Sequence, residues 1–229
     1  MRRIFPTVTA GLLLAVAGCA ALAQGAVAAR NVNFPARRAF LDEGGRSLQL
    51  VGTVVRLRNA IPFYTLAYYV NLGELRGALG SAPRTTPEMA RILIQGKVSQ
   101  AYVTRFEQGV SRERRVEFLL ENLRLYWDGP GFRPDSPSFR SFLPFFDAAL
   151  ERGEETQVWI RNGAIITRKA GLKPVTTNDP GICRAFVNSY LGELRKPGAD
   201  RIMRDDLLHD LPALLQREGS MLLRPSVTR

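Results

Sequence analysis

The sequence predicts an α+β fold in which an antiparallel sheet carries helices on one face. Three observations predict it. Runs rich in Val, Leu and aromatic residues cluster early in the chain, and an Asn-Gly hairpin signal lies late. Apolar stripes at helical spacing fill most of what remains. There is no repeating strand–helix–strand pattern, and no Gly-rich phosphate loop follows a strand, so a doubly wound nucleotide-binding fold is excluded.

Residues 47–58 (SLQLVGTVVRLR) read as a strand, and residues 62–72 (PFYTLAYYVNL) as an aromatic-rich second strand. Alternation of Ile92 and Ile94 with Leu93 and Gln95 predicts a third strand over 90–98. Ser99 is read as the cap of a helix running to about Gly109, with Tyr102, Val103, Phe106 and Val110 on one side. Ser111 restarts a helix whose apolar stripe, Val116, Leu119, Leu120 and Leu123, leads to Trp127. The Gly/Pro-rich stretch from Asp128 to Ser138 breaks the chain, and Phe139 to Leu150 read as a short, Phe-rich helix. Residues 156–161 and 164–168 form a hairpin through Asn162-Gly163, because both turn positions tolerate positive φ. Asp179-Pro180 starts a helix carrying Ile182, Ala185, Phe186, Ser189 and Tyr190, and a last helix spans about 201–217 with Ile202, Leu207, Leu211 and Leu214 inside. The lead-in over 24–46 is polar, with Gly44-Gly45 as a turn.

The first residues read as an export signal. Arg2 and Arg3 precede a short apolar run ending in small residues, which is too short for a comfortable membrane span. Two cleavage sites compete. Ala21-Leu22-Ala23 suits general signal peptidase, giving a leader over 1–23 and a domain over 24–229. Val16-Ala17-Gly18-Cys19 resembles a lipobox, giving a leader over 1–18 and a lipidated Cys19. The expected location is periplasmic or secreted in the first case and membrane-anchored in the second.

Cys19 and Cys183 are the only cysteines, so a disulfide framework is not expected, and Cys183 reads as a buried apolar residue. His209 is the sole histidine, which excludes a His-based triad and a Cys/His zinc site. No metal and no cofactor is expected. The net charge is +11, or +9 once Arg2 and Arg3 are set aside. The basic residues are nearly all Arg and are interleaved with Asp and Glu. No basic block or nucleic-acid motif stands out, so nucleic acid is not an expected partner.

Several stretches together resemble the chalcone isomerase-like family, particularly its bacterial exported branch, over roughly residues 32–217. LQLVGTVVR is similar to the family's first core strand, in which a Gly is followed by a cleft arginine. FYTLAYYVNLGEL resembles the next strand, KVSQAYVTRFEQGV the helix start after the third, and FVNSYLGEL with DLPALLQREG the C-terminal helices. The resemblance implies an open-faced β-sandwich with a cleft between sheet and helices that holds an aromatic or acyl ligand. Enzymatic members close a chalcone into a flavanone, and others resemble fatty-acid binders.

The resemblance carries over to four residues. Arg56 falls on the cleft arginine, in the strand Val54-Val55-Arg56-Leu57, with Leu48, Leu50 and Val54 assigned to its face and Arg58 as its nearest rival. An arginine on a core face needs an anionic partner, either a ligand carboxylate or phenolate or an internal acid. The family's strand hydroxyl falls on Tyr64, with Tyr68 beyond it. Thr65, one residue on, points to the opposite face. Tyr102 matches a helix tyrosine, against the alternative of a core Tyr. Ser189 matches a hydroxyl of the C-terminal helix, against the alternative of a Ser bonded to its own helix. The family's ligand-contacting Asn is replaced by Gly109, which weighs against isomerase chemistry more than against binding. The leading expectation is therefore a monomeric, non-catalytic binder of a fatty acid or similar apolar or aromatic acid. The alternatives are a chalcone isomerase-type intramolecular lyase and an interaction module without a ligand.

Overall fold

The computed structural model of the protein describes residues 34–39, 47–58, 61–82, 85–128, 131–192 and 200–222. The leader with Cys19, the Gly44-Gly45 turn and the side chains of Arg58 and Ile202 lie outside the described residues.

Seven strands form one sheet: β1 (Arg37–Ala39), β2 (Ser47–Arg58), β3 (Ile61–Val70), β4 (Gln100–Phe106), β5 (Glu155–Arg161), β6 (Ala164–Lys169) and β7 (Val175–Thr177). They lie in sequence order and every neighbouring pair is antiparallel. The helices are α1 (Leu72–Leu79), α2 (Thr86–Ile94), α3 (Arg112–Tyr126), α4 (Pro137–Phe142), α5 (Pro180–Leu191), α6 (Asp200–Leu208) and α7 (Leu211–Leu222). A 3₁₀ turn, Leu143–Phe145, follows α4. The main core lies between sheet and helices and joins Val54, Leu66, Tyr68 and Val158 to Leu119, Leu123, Phe186 and Leu207. The other sheet face buries a smaller group, Leu48, Ala67, Tyr69, Ala101, Val103 and Trp159, against which Phe34 packs. There the Tyr69 hydroxyl donates to the Pro35 carbonyl, and Arg38 reaches Glu155 at 2.6 Å. This is the predicted α+β class.

Several local signals act as the sequence implies. Asn162 and Gly163 take φ of 49° and 78°, the paired positive values that a type I′ hairpin needs. The Asp179 carboxylate accepts the Gly181 and Ile182 N–H groups and starts α5 on Pro180. Ser111 caps α3. The expected last helix is two helices. Pro212 has no N–H to donate to the Leu208 carbonyl, so α6 ends at Leu208 and a new helix starts at Leu211. Pro144 likewise ends the Phe-rich helix at Phe142.

Two assignments are corrected. Residues 90–98 are not a strand. Thr85, Pro87 and Glu88 begin α2, whose buried residues Met89, Ala90, Ile92 and Leu93 recur at helical spacing. Gly96, at φ 69°, then turns the chain, and a Cβ there would lie 2.6 Å from Cys183 Sγ. Residues 99–109 are in turn not a helix, because Gln100–Phe106 of this stretch form β4. Ser99 is no cap; its N–H donates to the Glu74 carboxylate at 2.7 Å. Tyr102 and Val103 belong to opposite sheet faces. β4 is central and Gln100–Val103 are buried on both faces, so apolar residues follow one another there and imitate a helical stripe.

A third correction concerns β2. Leu48 and Leu50 do not share the face of Val54 and Arg56. The register jumps from Leu50↔Tyr69 to Gly52↔Tyr68, so Val51 is an extra residue and the strand changes face at this bulge.

Cys183 is fully buried, and burial pushes its thiol up to about 12. Since the thiolate is the reacting species, Cys183 is expected to resist thiol reagents at neutral pH in the native protein and to react fully once denatured. Peptide mapping after alkylation checks this, and native labelling of Cys183 would contradict the packing.

Candidate ligand-binding site

A cavity of about 290 Å³ lies between the sheet and the helices. Its floor is cross-strand rows of β2 to β5. Arg56 pairs with Tyr64 and Tyr64 with Phe106, while Thr104 pairs with Thr156 and Tyr102 with Val158. A second bulge lies at Arg56/Leu57, where Leu57 pairs with Pro62 and skips Phe63. It lets both residues of each consecutive pair, Arg56-Leu57 and Phe63-Tyr64, reach the cavity, which strict alternation forbids. The roof is Arg114, Arg115 and Phe118 of α3, Phe145 and Phe146 beyond the 3₁₀ turn's start, and Phe186 and Tyr190 of α5.

Three of the four residues chosen from the sequence meet here. Arg56 lines the cavity and makes no side-chain hydrogen bond or ion pair with any described residue. Tyr64 is its cross-strand neighbour and also lines the cavity, whereas Thr65 pairs with Val55 and Arg105 one position out of that row. Tyr102 contributes its ring from a strand, not from the expected helix. Its hydroxyl turns inward to the Gln100 Oε1 at 3.3 Å, an acceptor shared with Tyr68 at 2.7 Å. The Gln100 amide in turn donates to the Leu93 carbonyl at 2.8 Å. Burial first, then the neighbouring phenols, holds the Tyr102 hydroxyl far above its ordinary range. It is an internal structural donor.

Ser189 does not line the cavity. Its Oγ donates to the Phe186 carbonyl at 2.7 Å, so the helix satisfies its own hydroxyl. Phe186 and Tyr190, four apart, occupy the facing stripe instead. The Tyr190 ring stacks 4.7 Å from Tyr102, and burial, then the Tyr64 phenol, raise its hydroxyl. Gly109, at the position of the family's Asn, is not part of the lining.

Sequence reasoning missed Arg115. Its position is legible, because it stands four residues before Leu119 and eight before Leu123, on the buried stripe of α3. It is 7% exposed, donates to the Ala148 carbonyl at 2.6 Å and lies 5.4 Å from the centres of the Phe145 and Phe146 rings. Burial lowers its guanidinium to about 10, partly opposed by Glu154, so it stays charged at neutral pH. Three arginines, the hydroxyl-bearing residues Tyr64, Tyr190, Thr104 and Thr156, and an aromatic wall thus line the cavity, and among the described residues no Asp or Glu does. Such a site suits an anion with an apolar body. No group of His, Cys, Asp and Glu among the described residues can hold a metal ion.

This architecture, a seven-stranded antiparallel sheet with helices on one face, is the chalcone isomerase-like fold. Among solved structures the chain is similar to a fatty-acid binding protein of Arabidopsis thaliana. The TM-score is 0.58 at 19% identity, over 78% of this chain and 98% of that one. No protein-family profile matches the sequence, and no curated protein matches it.

Proposed function

We propose that the chain is an exported, non-catalytic binder of a fatty acid or similar apolar carboxylate. The observation that carries this reading is Arg56, a cation with no side-chain hydrogen bond or ion pair to any described residue, in an aromatic cavity that no described Asp or Glu lines. A ligand carboxylate supplies the missing partner through two parallel N–H···O bonds, with Tyr64 beside it, and the tail lies along the Phe-rich wall. The name of the Arabidopsis protein supports the same ligand class. The charged start and short apolar run of the leader support export, with release at Ala23 or a lipid on Cys19 as the two routes.

Native mass spectrometry of the purified protein tests this. Adducts with acyl-chain masses should be present and should disappear on denaturation. A protein that arrives empty and then binds no long-chain fatty acid in titration contradicts the reading.

A further inference from the structure

We infer that the mouth of this cavity docks on an anionic phospholipid surface. Four large apolar side chains are exposed among the described residues: Leu57 (45%), Ile61 (58%), Phe118 (48%) and Leu172 (44%). Single exposed apolar residues are ordinary, but three of these gather at one place. Leu57 and Phe118 line the cavity, and Ile61 stands at the start of β3, in register with Arg58, at the same end of the β2–β3 ladder as Leu57. The apolar tips therefore come from two separate elements, the strand ends and α3, on either side of the opening. The fold does not need them outside. An apolar surface that could receive them explains their place.

The charge lining the cavity selects the occupant. Arg56, Arg114 and Arg115 line the cavity, and among the described residues no Asp or Glu does. Arg114 is half-exposed and pairs with Glu117 of its own helix, a surface pair too weak to withhold it from another anion. A bilayer with anionic headgroups fits both features, because apolar side chains enter the acyl boundary while the half-exposed Arg114 remains at the phosphates. No described helix is long and apolar enough to cross a membrane. This docking extends the acid-binding reading, since a poorly soluble acid could then pass between bilayer and cavity without crossing water.

The test is the full chain carrying Cys19→Ser and a single new cysteine, Ile61→Cys or Phe118→Cys, labelled with an environment-sensitive fluorophore. Buried Cys183 stays unlabelled. Leu172→Cys, exposed but not part of the cavity lining, is the control for contact brought about by the leader. With phosphatidylcholine–phosphatidylglycerol vesicles, labels at 61 and 118 should shift to the blue and be shielded from an aqueous quencher, and the label at 172 should not. Arg114→Gln should weaken vesicle partitioning about fivefold. An unmoved label at 61, or a label at 172 that moves as much, overturns the proposal. An equal response to phosphatidylcholine alone overturns the anionic selectivity, and a shift that grows with protein concentration without vesicles assigns the patch to a second copy of the chain. No fatty acid is present, so failure here is separate from failure of the acid-binding reading.

Discussion

Gly52→Ala is expected to destabilise the protein by about 3 kcal/mol, the upper end for overpacking a tight core. A Cβ on Gly52 would run into the Leu207 carbonyl oxygen and stand 2.7 Å from that of Asp206. Both are backbone atoms of α6, so no side chain can rotate away, and either α6 lifts from the sheet or β2 moves. Gly52 also follows the Val51 bulge that turns Val54 and Arg56 towards the helices. The substitution therefore strains the segment that aims the proposed anchor. Chemical denaturation checks the expectation, and an unfolding free energy within about 0.5 kcal/mol of the parent, the range of an ordinary surface change, would contradict the close approach.

Arg56→Ala is expected to weaken fatty-acid binding by about 2 to 3 kcal/mol, roughly 30- to 150-fold, the range for hydrogen bonds to a charged group. Stability should change little, because Arg56 has no partner among the described residues to strand. Arg56→Lys should fall between the two, since a lysine keeps the charge and loses the planar fork. Unchanged affinity in Arg56→Ala would move the anchor to Arg115.

Much of this arrangement is legible in the sequence. The ends of β2, the Asn162-Gly163 hairpin and the Asp179 cap follow from local chemistry that tertiary packing does not override. Arg56 and Tyr64 emerge from the strand pattern together with the family resemblance. What is not legible follows from two physical causes. The first is burial on both faces, which removes the period-2 signal from β4 and so hides Thr104 as a cavity residue and misplaces Tyr102 on a helix. The second is the pair of bulges in the β2–β3 ladder. One reverses the faces of Leu48 and Leu50 relative to Arg56, and the other brings Phe63 and Leu57 to the opening, and neither leaves a mark in hydrophobic alternation. Ser189 fails for a different reason. It shares a helix with the true lining residues but lies off the stripe of Phe186 and Tyr190, and its hydroxyl has the Phe186 carbonyl within reach.

The central claim is that a charged anchor in an apolar cavity selects an acid. Calorimetric titration of a long-chain fatty acid and of the alcohol with the same chain tests it most directly, because the two differ at the anchored end alone. The parent protein should bind the acid at least about tenfold more tightly than the alcohol, the worth of one charge-assisted contact. Arg56→Ala should lose that preference while keeping the alcohol affinity. Equal affinities for acid and alcohol in the parent protein, or a preference that survives in Arg56→Ala, would contradict the account.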